Sequence, residues 1–417
     1  MLPLLHTFLD RAVRKGTLEV STSSGKRFAV GDGSGERIAV WVADSAAARQ
    51  LVLRPKLALG ELYMDGRLVV AHGSIYDLIA LLGCNLGSGS TPGIARAFSK
   101  VRTMLRPGHQ RNTARRAKRN VAHHYDLDGR LYRLFLDPDM QYSCAYFEHR
   151  DQRLEEAQLA KKRHIAAKLL IEPGHHILDI GSGWGGLALY LAERCGAQVT
   201  GITLSEAQLD YARSRAKESG LASHVDFRSL DYRAIQGTFD RIVSVGMFEH
   251  VGLGYYGTFF AKVADLLADG GVVLLHSIGR ADGPSATNAW IEKYIFPGSY
   301  VPALSEVLPA IERTGLIVTD VEILRLHYAE TLKAWRERFL VRRDEARALY
   351  DERFCRMWEF YLAISECGFR HGGLMVFQIQ LAKRLGAVPL TRDYIATREK
   401  QLRAMDMRQS GVSIAAE

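Results

Sequence analysis

The amino-acid sequence predicts an α/β protein in which a doubly wound, mostly parallel sheet follows a smaller α+β domain. Two observations predict the larger domain: short strands alternate with helical periodicity from about residue 150, and a glycine-rich turn follows the first of these strands. This alternation is typical of a parallel sheet with helices on both faces. Short runs of alternating polar and apolar residues within positions 1–82 predict the smaller domain.

The elements of the small N-terminal domain come first. Residues 26–30 and 37–42 alternate as strands do, and residues 75–82 have the apolar periodicity of a helix. Residues 83–93 (GCNLGSGSTPG) are rich in glycine and serine, which predicts a flexible connection. We therefore expect a small domain over residues 1–95, a basic linker over 96–120, a larger domain over 121–400 and a tail over 401–417.

The elements of the larger domain follow in a regular order. A helix is predicted over residues 155–170, and its periodicity stops at Pro173 and Gly174. Beyond it we expect helices over 187–194 and from 205 to about 219, and strands at 177–180, 199–202, 225–228, 241–245 and 272–276. Residues from about 330 to 385 are charged and aromatic, and we expect them to be mostly helical.

Composition excludes several classes of protein. Of the 417 residues, 47% are hydrophobic and 24% are charged, which is ordinary for a globular chain and excludes a disordered one. The five cysteines contain no CxxC pair, so we expect neither a disulfide framework nor a metal site. The N-terminus lacks the basic region of a secretory signal, and no run of about 18 apolar residues could span a membrane. We therefore expect a cytoplasmic protein.

Positive charge is concentrated near the N-terminus. The net charge is +9, yet residues 1–120 hold 19 basic and 8 acidic residues. Residues 96–119 hold nine basic residues and no acid, and Ile94, Phe98, Val101 and Leu105 recur at the spacing of one helix face. The excess indicates a polyanionic partner, either nucleic acid or an anionic membrane surface. We expect an interfacial helix here, and a solvated connector is the alternative.

The glycine turn separates the first strand from the following helix. Gly181 and Gly183 allow a tight turn in which backbone N–H groups approach a ligand, although a turn without a ligand is the alternative. A dinucleotide site would need an acid about 20 residues later, where Thr203 and Ser205 stand instead. Asp179, on the first strand, suits an amino-acid ammonium, and Asp231, after the third, suits an adenine amine. These features favour an S-adenosylmethionine pocket.

Eight motifs then make a family recognisable: YSCAYF, LDIGSGWGGLA, GITLSEAQ, SLDYR, IVSVGMFEHVG, LLHSIG, KYIFPG and YAETLKAW. Over about residues 120–385 the chain resembles cyclopropane-fatty-acyl-phospholipid synthases, with Ser182 where many relatives have Cys. The resemblance implies a Rossmann-like methyltransferase fold and methyl transfer from S-adenosylmethionine to the cis double bond of an unsaturated acyl chain in a membrane phospholipid. It also implies a carbocation that bound bicarbonate deprotonates before ring closure, and a homodimer.

By the same resemblance, the catalytic residues that hold bicarbonate would be Cys144, Glu249, His276, Ile278 and Tyr328. The residues support this independently, because Glu249 and His276 lie at or just beyond the carboxyl ends of strands, where open parallel sheets bind ligands. Taken singly, Cys144 and His276 could each be a packed core residue. The implied cofactor residues are Tyr142, Ser143, Asp179, Gly181, Gly183, Thr203, Ser205, Gln208, Asp231 and Tyr232. Trp184 could contact the cofactor or be a core residue.

Three other functions stay open. A relative that stops before ring closure would make methyl- or methylene-branched chains. A nucleic-acid methyltransferase would use the basic region, but MFEHVG stands where an (N/D)PP(Y/F) loop would be needed. A non-catalytic lipid-binding protein would leave Glu249, His276 and Cys144 together without a reason. We therefore expect phospholipid as substrate, no nucleic acid as partner, and peripheral attachment to the anionic inner face of the membrane.

Overall fold

The computed structural model describes residues 2–86 and 127–409. The predicted basic linker and interfacial helix, the predicted boundaries at 95 and 120, and residues 410–417 lie outside the described residues. The described chain forms two compact units. The first contains residues 2–86, Ser285–Pro297 and Ala329–Leu374, and the second contains residues 127–284, Gly298–Tyr328 and 375–409.

The secondary structure of the described residues is as follows. The strands are β1 (Thr17–Thr22), β2 (Arg27–Val30), β3 (Arg37–Val42), β4 (Leu68–His72), β5 (His176–Ile180), β6 (Gln198–Thr203), β7 (Val225–Ser229), β8 (Phe239–Val245), β9 (Leu267–Arg280), β10 (Ile317–Ile323) and β11 (Leu374–Ala382). The helices are α1 (Leu2–Ala12), α2 (Ser45–Leu53), α3 (Pro55–Met64), α4 (Ile75–Leu86), α5 (Gly129–Arg133), α6 (Leu154–Lys168), α7 (Gly186–Cys195), α8 (Glu206–Glu218), α9 (Tyr256–Leu266), α10 (Ala289–Tyr294), α11 (Leu304–Glu312), α12 (His327–Val341), α13 (Arg343–Leu349), α14 (Glu352–His371) and α15 (Asp393–Gln409). Short 3₁₀ turns occupy Phe248–His250, Leu253–Tyr255 and Leu385–Ala387.

The first unit has a small sheet with helices packed beside it. The strand order is β2-β1-β3-β4, in which β1 and β3 are parallel and the other neighbours are antiparallel. Val40 and Val42 alternate with less buried residues, so one face of β3 is apolar. The predicted strands at 26–30 and 37–42 and the helix from residue 75 are confirmed.

Two later segments also belong to the first unit, although the linear boundaries placed them in the larger domain. Trp290 of α10 is fully buried and packs edge-on against Phe360 of α14, with ring centroids 4.6 Å apart. Gly60 of α3 leaves space for this indole, because a Cβ there would lie 2.4 Å from its Nε1 atom. Large apolar side chains brought together from distant positions therefore define this unit.

The second unit contains the larger sheet. Within the described residues it has seven strands in the order β10-β11-β9-β8-β5-β6-β7. Strands β6, β5, β8 and β9 pair in parallel, as do β6 and β7, whereas β10 and β11 are antiparallel. Strand β5 lies between β6 and β8, so the chain order reverses there. In an open α/β sheet, ligands bind beyond the carboxyl ends of the strands at such a reversal.

Apolar layers cover both faces of this sheet. One layer includes Phe259, Phe260 and Val263 of α9, and the other includes Leu189 and Leu191 of α7. The predicted doubly wound α/β fold is therefore confirmed, as are the five predicted strands, with β9 extended to Arg280. No helix in the described residues is long and apolar enough to cross a membrane.

Residues 330–385 are mostly helical, as predicted, but the end of this stretch is a strand. Residues 374–382 form β11, in which every residue except Leu374 is buried. A short run that is apolar except for Gln378 and Gln380 cannot be distinguished from a buried helix by periodicity alone. Strands β1, β4 and β10 were not predicted. The error at β11 matters because this strand lies next to β9, which carries His276.

Candidate functional site

A cavity opens at the carboxyl ends of β5 to β8 in the second unit. Nine of the ten predicted cofactor residues line it, namely Tyr142, Ser143, Asp179, Gly181, Gly183, Thr203, Gln208, Asp231 and Tyr232. The tenth, Ser205, is the N-cap of α8, where its hydroxyl accepts the Gln208 N–H at 3.4 Å. Trp184 also lines the cavity, and its ring lies 5.7 Å from that of Tyr132.

The glycine turn forms the floor of the cavity. The N–H groups of Gly181 and Ser182 both donate to the Ile202 carbonyl, at 2.9 and 3.0 Å, which fixes the turn against β6. Gly181 has a φ of +86°, and a Cβ there would lie 2.7 Å from the Cβ of Met247. Glycine is therefore required at this position both by backbone conformation and by the close approach of a neighbour.

Asp179 provides a buried carboxylate at the end of β5. It is 2% exposed, and its Oδ2 atom has no hydrogen-bond partner among the described residues. Burial raises the pKa of Asp179 to about 7, and the charge of Lys161 opposes that rise. An unpartnered buried carboxylate is costly, and a ligand cation or ammonium group would satisfy it.

The polar groups after β6 and β7 are already organised. Thr203 donates to the Gln208 side chain at 3.0 Å. Asp231 forms an ion pair with Arg233 at 2.6 Å. Burial raises the pKa of Asp231, but hydrogen bonds from Arg233 outweigh it and lower that pKa. Arg233 lines the cavity, although the sequence analysis did not single it out.

Lys161 is a second residue of the cavity that the sequence analysis missed. It is fully buried on α6, and its Nζ donates to Gln141 Oε1 at 2.5 Å and to Ser143 Oγ at 2.8 Å. One turn earlier, Gln158 donates to the Ser143 carbonyl at 3.0 Å. Because lysine has only donors, the Ser143 oxygen accepts and its own hydrogen stays available to another acceptor. Helix α6 therefore holds the segment around Tyr142 at the cavity wall.

We expect Lys161→Met to weaken cofactor binding about tenfold, because a buried charged hydrogen bond contributes about 1.5–3 kcal/mol. Calorimetric titration with S-adenosylmethionine measures this, and thermal unfolding checks that the variant folds. Lys217→Met changes an exposed lysine on α8 and is the matched control. Equal affinities in Lys161→Met and the control would contradict a role for Lys161 in holding the segment.

Glu249 lies in the 3₁₀ turn Phe248–His250, directly after β8. Its Oε1 accepts the Ile278 N–H at 2.6 Å, whereas its Oε2 is buried and has no partner in the part of the chain that the structure describes. Burial raises the pKa of Glu249 to about 7. The structure thus brings Glu249 and Ile278, two of the predicted catalytic residues, into contact. The Glu249 carboxylate accepts the hydrogen bond of the peptide N–H that the resemblance assigned to bicarbonate.

His276 lies within β9 and is 2% exposed. The Gln378 side chain on β11 is the hydrogen-bond partner of its Nδ1 atom, at 3.2 Å. Burial lowers the pKa of His276 to about 3, and the nearby cations of Lys161, Lys168 and His164 lower it further. The imidazole is therefore neutral at physiological pH. No sequence signal pointed to Gln378, because residues 374–382 were predicted to be helical.

Cys144 and Tyr328 lie on two segments that the structure connects. Cys144 is buried, and its thiol donates to the Ala145 carbonyl at 3.3 Å. Two residues after Cys144, Tyr146 stacks on the ring of His327 at 5.0 Å, and the Phe147 N–H donates to His327 Nδ1 at 2.9 Å. Tyr328 is the next residue of α12, so these contacts bring its backbone near the Cys144 segment.

The stack continues to a buried charged cluster. Tyr146 also stacks on His164 at 4.2 Å. The two nitrogens of His164 lie 2.7 Å from Glu322 and 2.6 Å from Glu399. Burial lowers the pKa of His164, but hydrogen bonds to the two carboxylates outweigh it and raise that pKa. This cluster fixes α6, β10 and α15 around the segment that carries Cys144.

Two of the five predicted catalytic residues, Glu249 and Cys144, are next in the chain to residues that line the cavity. In the described part of the chain the five are not among its lining residues, but His250, next to Glu249, and Ser143, next to Cys144, are. Within residues 2–86 and 127–409, no three His, Cys, Asp or Glu side chains are grouped so as to hold a metal ion. The arrangement places buried proton-accepting and hydrogen-bonding groups beside a pocket for a cationic ligand.

Comparisons with known proteins agree with this geometry. The family described as mycolic acid cyclopropane synthetase matches residues 112–379. The tuberculostearic acid methyltransferase UfaA1 of Mycobacterium tuberculosis is 37% identical over 360 residues, which cover 81% of each chain. The cyclopropane-fatty-acyl-phospholipid synthase of Escherichia coli K12 is 42% identical over 260 residues, which cover 62% of this chain and 66% of that one.

A solved structure is also similar to this chain. The mycolic acid cyclopropane synthase CmaA1 complexed with SAH and CTAB is 34% identical, with a TM-score of 0.61. The match covers 63% of this chain and 97% of that one.

Proposed function

This chain belongs to the mycolic acid cyclopropane synthetase family, and we propose that it transfers a methyl group from S-adenosylmethionine to the cis double bond of unsaturated acyl chains in membrane phospholipids and closes a cyclopropane ring. The observation that carries the proposal is Glu249, a buried carboxylate with an unsatisfied oxygen in the described structure, beside the cavity that holds Asp179. Such a group can take up a proton in a site that excludes water.

The cavity residues fit S-adenosylmethionine, which supplies an electrophilic methyl group when bound. The Oδ2 atom of Asp179, buried without a partner among the described residues, suits the ammonium group of the methionine end. We propose that Asp179, the glycine turn and the Tyr142 segment hold that end. Thr203, Gln208 and the other polar groups after β6 and β7 would hold the nucleoside. The fit to S-adenosylmethionine rests on the Asp179 carboxylate, because a nearby cation stabilises the charged form of a buried acid.

We propose that Glu249, His276, Cys144, Tyr328 and the Ile278 backbone hold a bicarbonate ion, which supplies the base for the carbocation. A neutral His276 can donate a hydrogen bond to an anion but is a weak base. The Ile278 N–H already donates to Glu249, so an anion would share this N–H with the carboxylate or displace it. Glu249, with its pKa raised to about 7, can accept a proton at neutral pH.

The second candidate is a fatty-acyl C-methyltransferase that forms a branched chain without ring closure. The observation that favours it is the 37% identity to a tuberculostearic acid methyltransferase over 81% of the chain. Both reactions would begin with methyl transfer to an alkene, so the same cavity and buried carboxylate would serve either. The two would differ after methyl transfer: loss of a proton from the new methyl group with ring closure gives the cyclopropane, whereas a 1,2-hydride shift before that proton leaves gives a methylene-branched chain.

The membrane and oligomer proposals rest on the sequence. We propose that the protein attaches peripherally to the anionic inner face of a membrane, because the basic excess of residues 1–120 attracts anionic lipid. Residues 96–119, which would make the contact, lie outside the described residues. A homodimer is likewise proposed from the resemblance.

The product identifies the reaction. We expect bacterial cells that express this chain to accumulate phospholipid acyl chains heavier by one CH₂ group and without the original double bond. Mass spectrometry of total lipids before and after ozonolysis measures both properties, with cells carrying the empty vector as control. A CH₂ gain in chains that are still cleaved by ozone would favour the branched product, and no new acyl species would contradict the proposal.

The bicarbonate proposal has a separate test. We expect wild-type turnover to fall in decarbonated buffer, and added bicarbonate to restore part of the activity of Cys144→Ser, because a weakened anion site fills at higher concentration. Cys195→Ser replaces another buried thiol of the second unit, on α7, and should respond as the wild type does. Wild-type turnover that is indifferent to carbonate would favour a side-chain base instead.

A further inference from the structure

His276 and Gln378 form a buried polar pair across two neighbouring strands of the larger sheet. His276 is on β9 and Gln378 is on β11, and their side chains are 2% and 0% exposed. The Gln378 Nε2 atom lies 3.2 Å from His276 Nδ1. Neither the family comparison nor the sequence motifs assign a role to Gln378.

The polarity of this hydrogen bond follows from the two chemical groups. With the Gln378 amide in this orientation its nitrogen donates, so His276 Nδ1 accepts and the ring hydrogen is on Nε2. Burial disfavours a second proton, and so do the charges of Lys161, Lys168 and His164 on α6, whereas Glu322 of β10 favours it. The imidazole therefore has a single N–H, at Nε2.

We propose that Gln378 is a positioning residue that fixes His276 as the Nε2–H tautomer, so that His276 donates a hydrogen bond toward the reacting anion and does not act as the base. The inference rests on the proposed function, because His276 is assigned to the anion site there. The two buried groups then have different roles: His276 donates a hydrogen bond to the anion, and Glu249 accepts a proton.

Among the described residues, the Gln378 amide is hydrogen-bonded to His276 alone. Oε1 is buried and has no hydrogen-bond partner among residues 2–86 and 127–409. A buried carbonyl oxygen without a partner is unfavourable, so a purely structural glutamine would be expected to satisfy it. By contrast, Gln380 on the same strand is bonded through both ends of its amide, accepting from Thr319 and donating to Tyr394. Gln378 thus resembles a residue retained for its effect on His276.

The test is Gln378→Glu, which keeps the side-chain length but replaces the donor by an acceptor. A carboxylate opposite Nδ1 should draw the ring hydrogen to that nitrogen. We expect kcat to fall about 100-fold, the usual loss when one preorganised donor is removed, with the KM for S-adenosylmethionine within about twofold of wild type because Gln378 does not line its cavity. A structural defect alone would not produce this split.

The tautomer is measured directly by ¹⁵N NMR of protein labelled at histidine, with the His276 signals assigned from their absence in His276→Ala. A protonated Nε2 in the wild type, a protonated Nδ1 in Gln378→Glu and the fall in kcat together support the inference. Gln380→Glu is the matched control, and it should leave the His276 nitrogen shifts unchanged. Gln378→Leu removes the bond without supplying an acceptor and should lose less activity than Gln378→Glu.

A wild-type ring protonated at Nδ1 would overturn the inference whatever the activity. Unchanged kcat in a Gln378→Glu variant whose tautomer has switched would also overturn it. Failure of the proposed function is separate, because it would appear as a wild-type enzyme that methylates no acyl chain while the nitrogen shifts still report the tautomer.

Discussion

Glu249→Gln is expected to lower turnover by about 100-fold or more while S-adenosylmethionine affinity stays within about twofold of wild type, because general-base groups typically contribute 10²–10⁴-fold. Glutamine keeps the size of the side chain but cannot accept a proton. The residue adjoins the cofactor cavity without lining it in the described structure, so binding should be spared. Single-turnover methyl transfer and calorimetric titration on the same sample measure the two effects.

The same substitution should change how stability depends on pH. Burial raises the pKa of Glu249 to about 7 from 4.5, so the native state holds this proton more tightly than the unfolded state. Wild-type stability should therefore fall as pH rises from about 4.5 to 7, by roughly 3 kcal/mol for this group. In Glu249→Gln that loss is absent, and the variant should gain stability relative to wild type over the same range. Thermal unfolding at several pH values measures it.

Glu312→Gln, which changes an exposed acid at the end of α11, is the control for both measurements. The assignment of Glu249 would be refuted by unchanged turnover. Loss of cofactor affinity in place of turnover would instead place Glu249 in the cofactor site. A more stable but inactive variant would be the clearest support, because functional groups are often held in environments that cost stability.

Gly181→Ala is expected to weaken S-adenosylmethionine binding by about 100-fold. Its φ of +86° disfavours any residue with a Cβ, at a cost of about 1–2 kcal/mol. The new Cβ would also lie 2.7 Å from Met247 Cβ, and such overpacking costs about 1–3 kcal/mol. Met247 itself lines the cavity, so a shift of either residue to relieve the contact would deform the cofactor site.

Gly183→Ala is the matched control in the same turn. Gly183 also has a positive φ, +54°, but a Cβ there would meet nothing within 4 Å in the described structure. It should therefore lose some stability with a much smaller loss of affinity. Calorimetric titration and thermal unfolding of both variants separate the two effects. Similar affinities in the two variants would show that the contact with Met247 does not shape the pocket.

The local elements of the larger domain could be predicted from the sequence, because their signals are local. Buried strands such as β5 and β8 are short apolar runs, and Gly185 and Ser205 stand at the starts of α7 and α8. Nine of the ten predicted cofactor residues line one cavity, since parallel strands bring their carboxyl ends to one edge of the sheet. Motif identity then indicated which side chains matter.

The tertiary structure decided what depends on contacts between distant positions. Strand β11 was predicted as helix because its apolar run has no diagnostic period, and its place beside β9 brings Gln378 to His276. In the sequence, Lys161 is one of several basic residues of a predicted helix. The tertiary structure buries it and brings its Nζ atom to Ser143 Oγ. The sequence by itself thus determined the order of strands β5 to β9, the glycine turn and the identity of the reactive groups. The fold decided which of these groups are protonated and which donate or accept hydrogen bonds. Burial and hydrogen-bond partners are supplied by residues that are far apart in the chain.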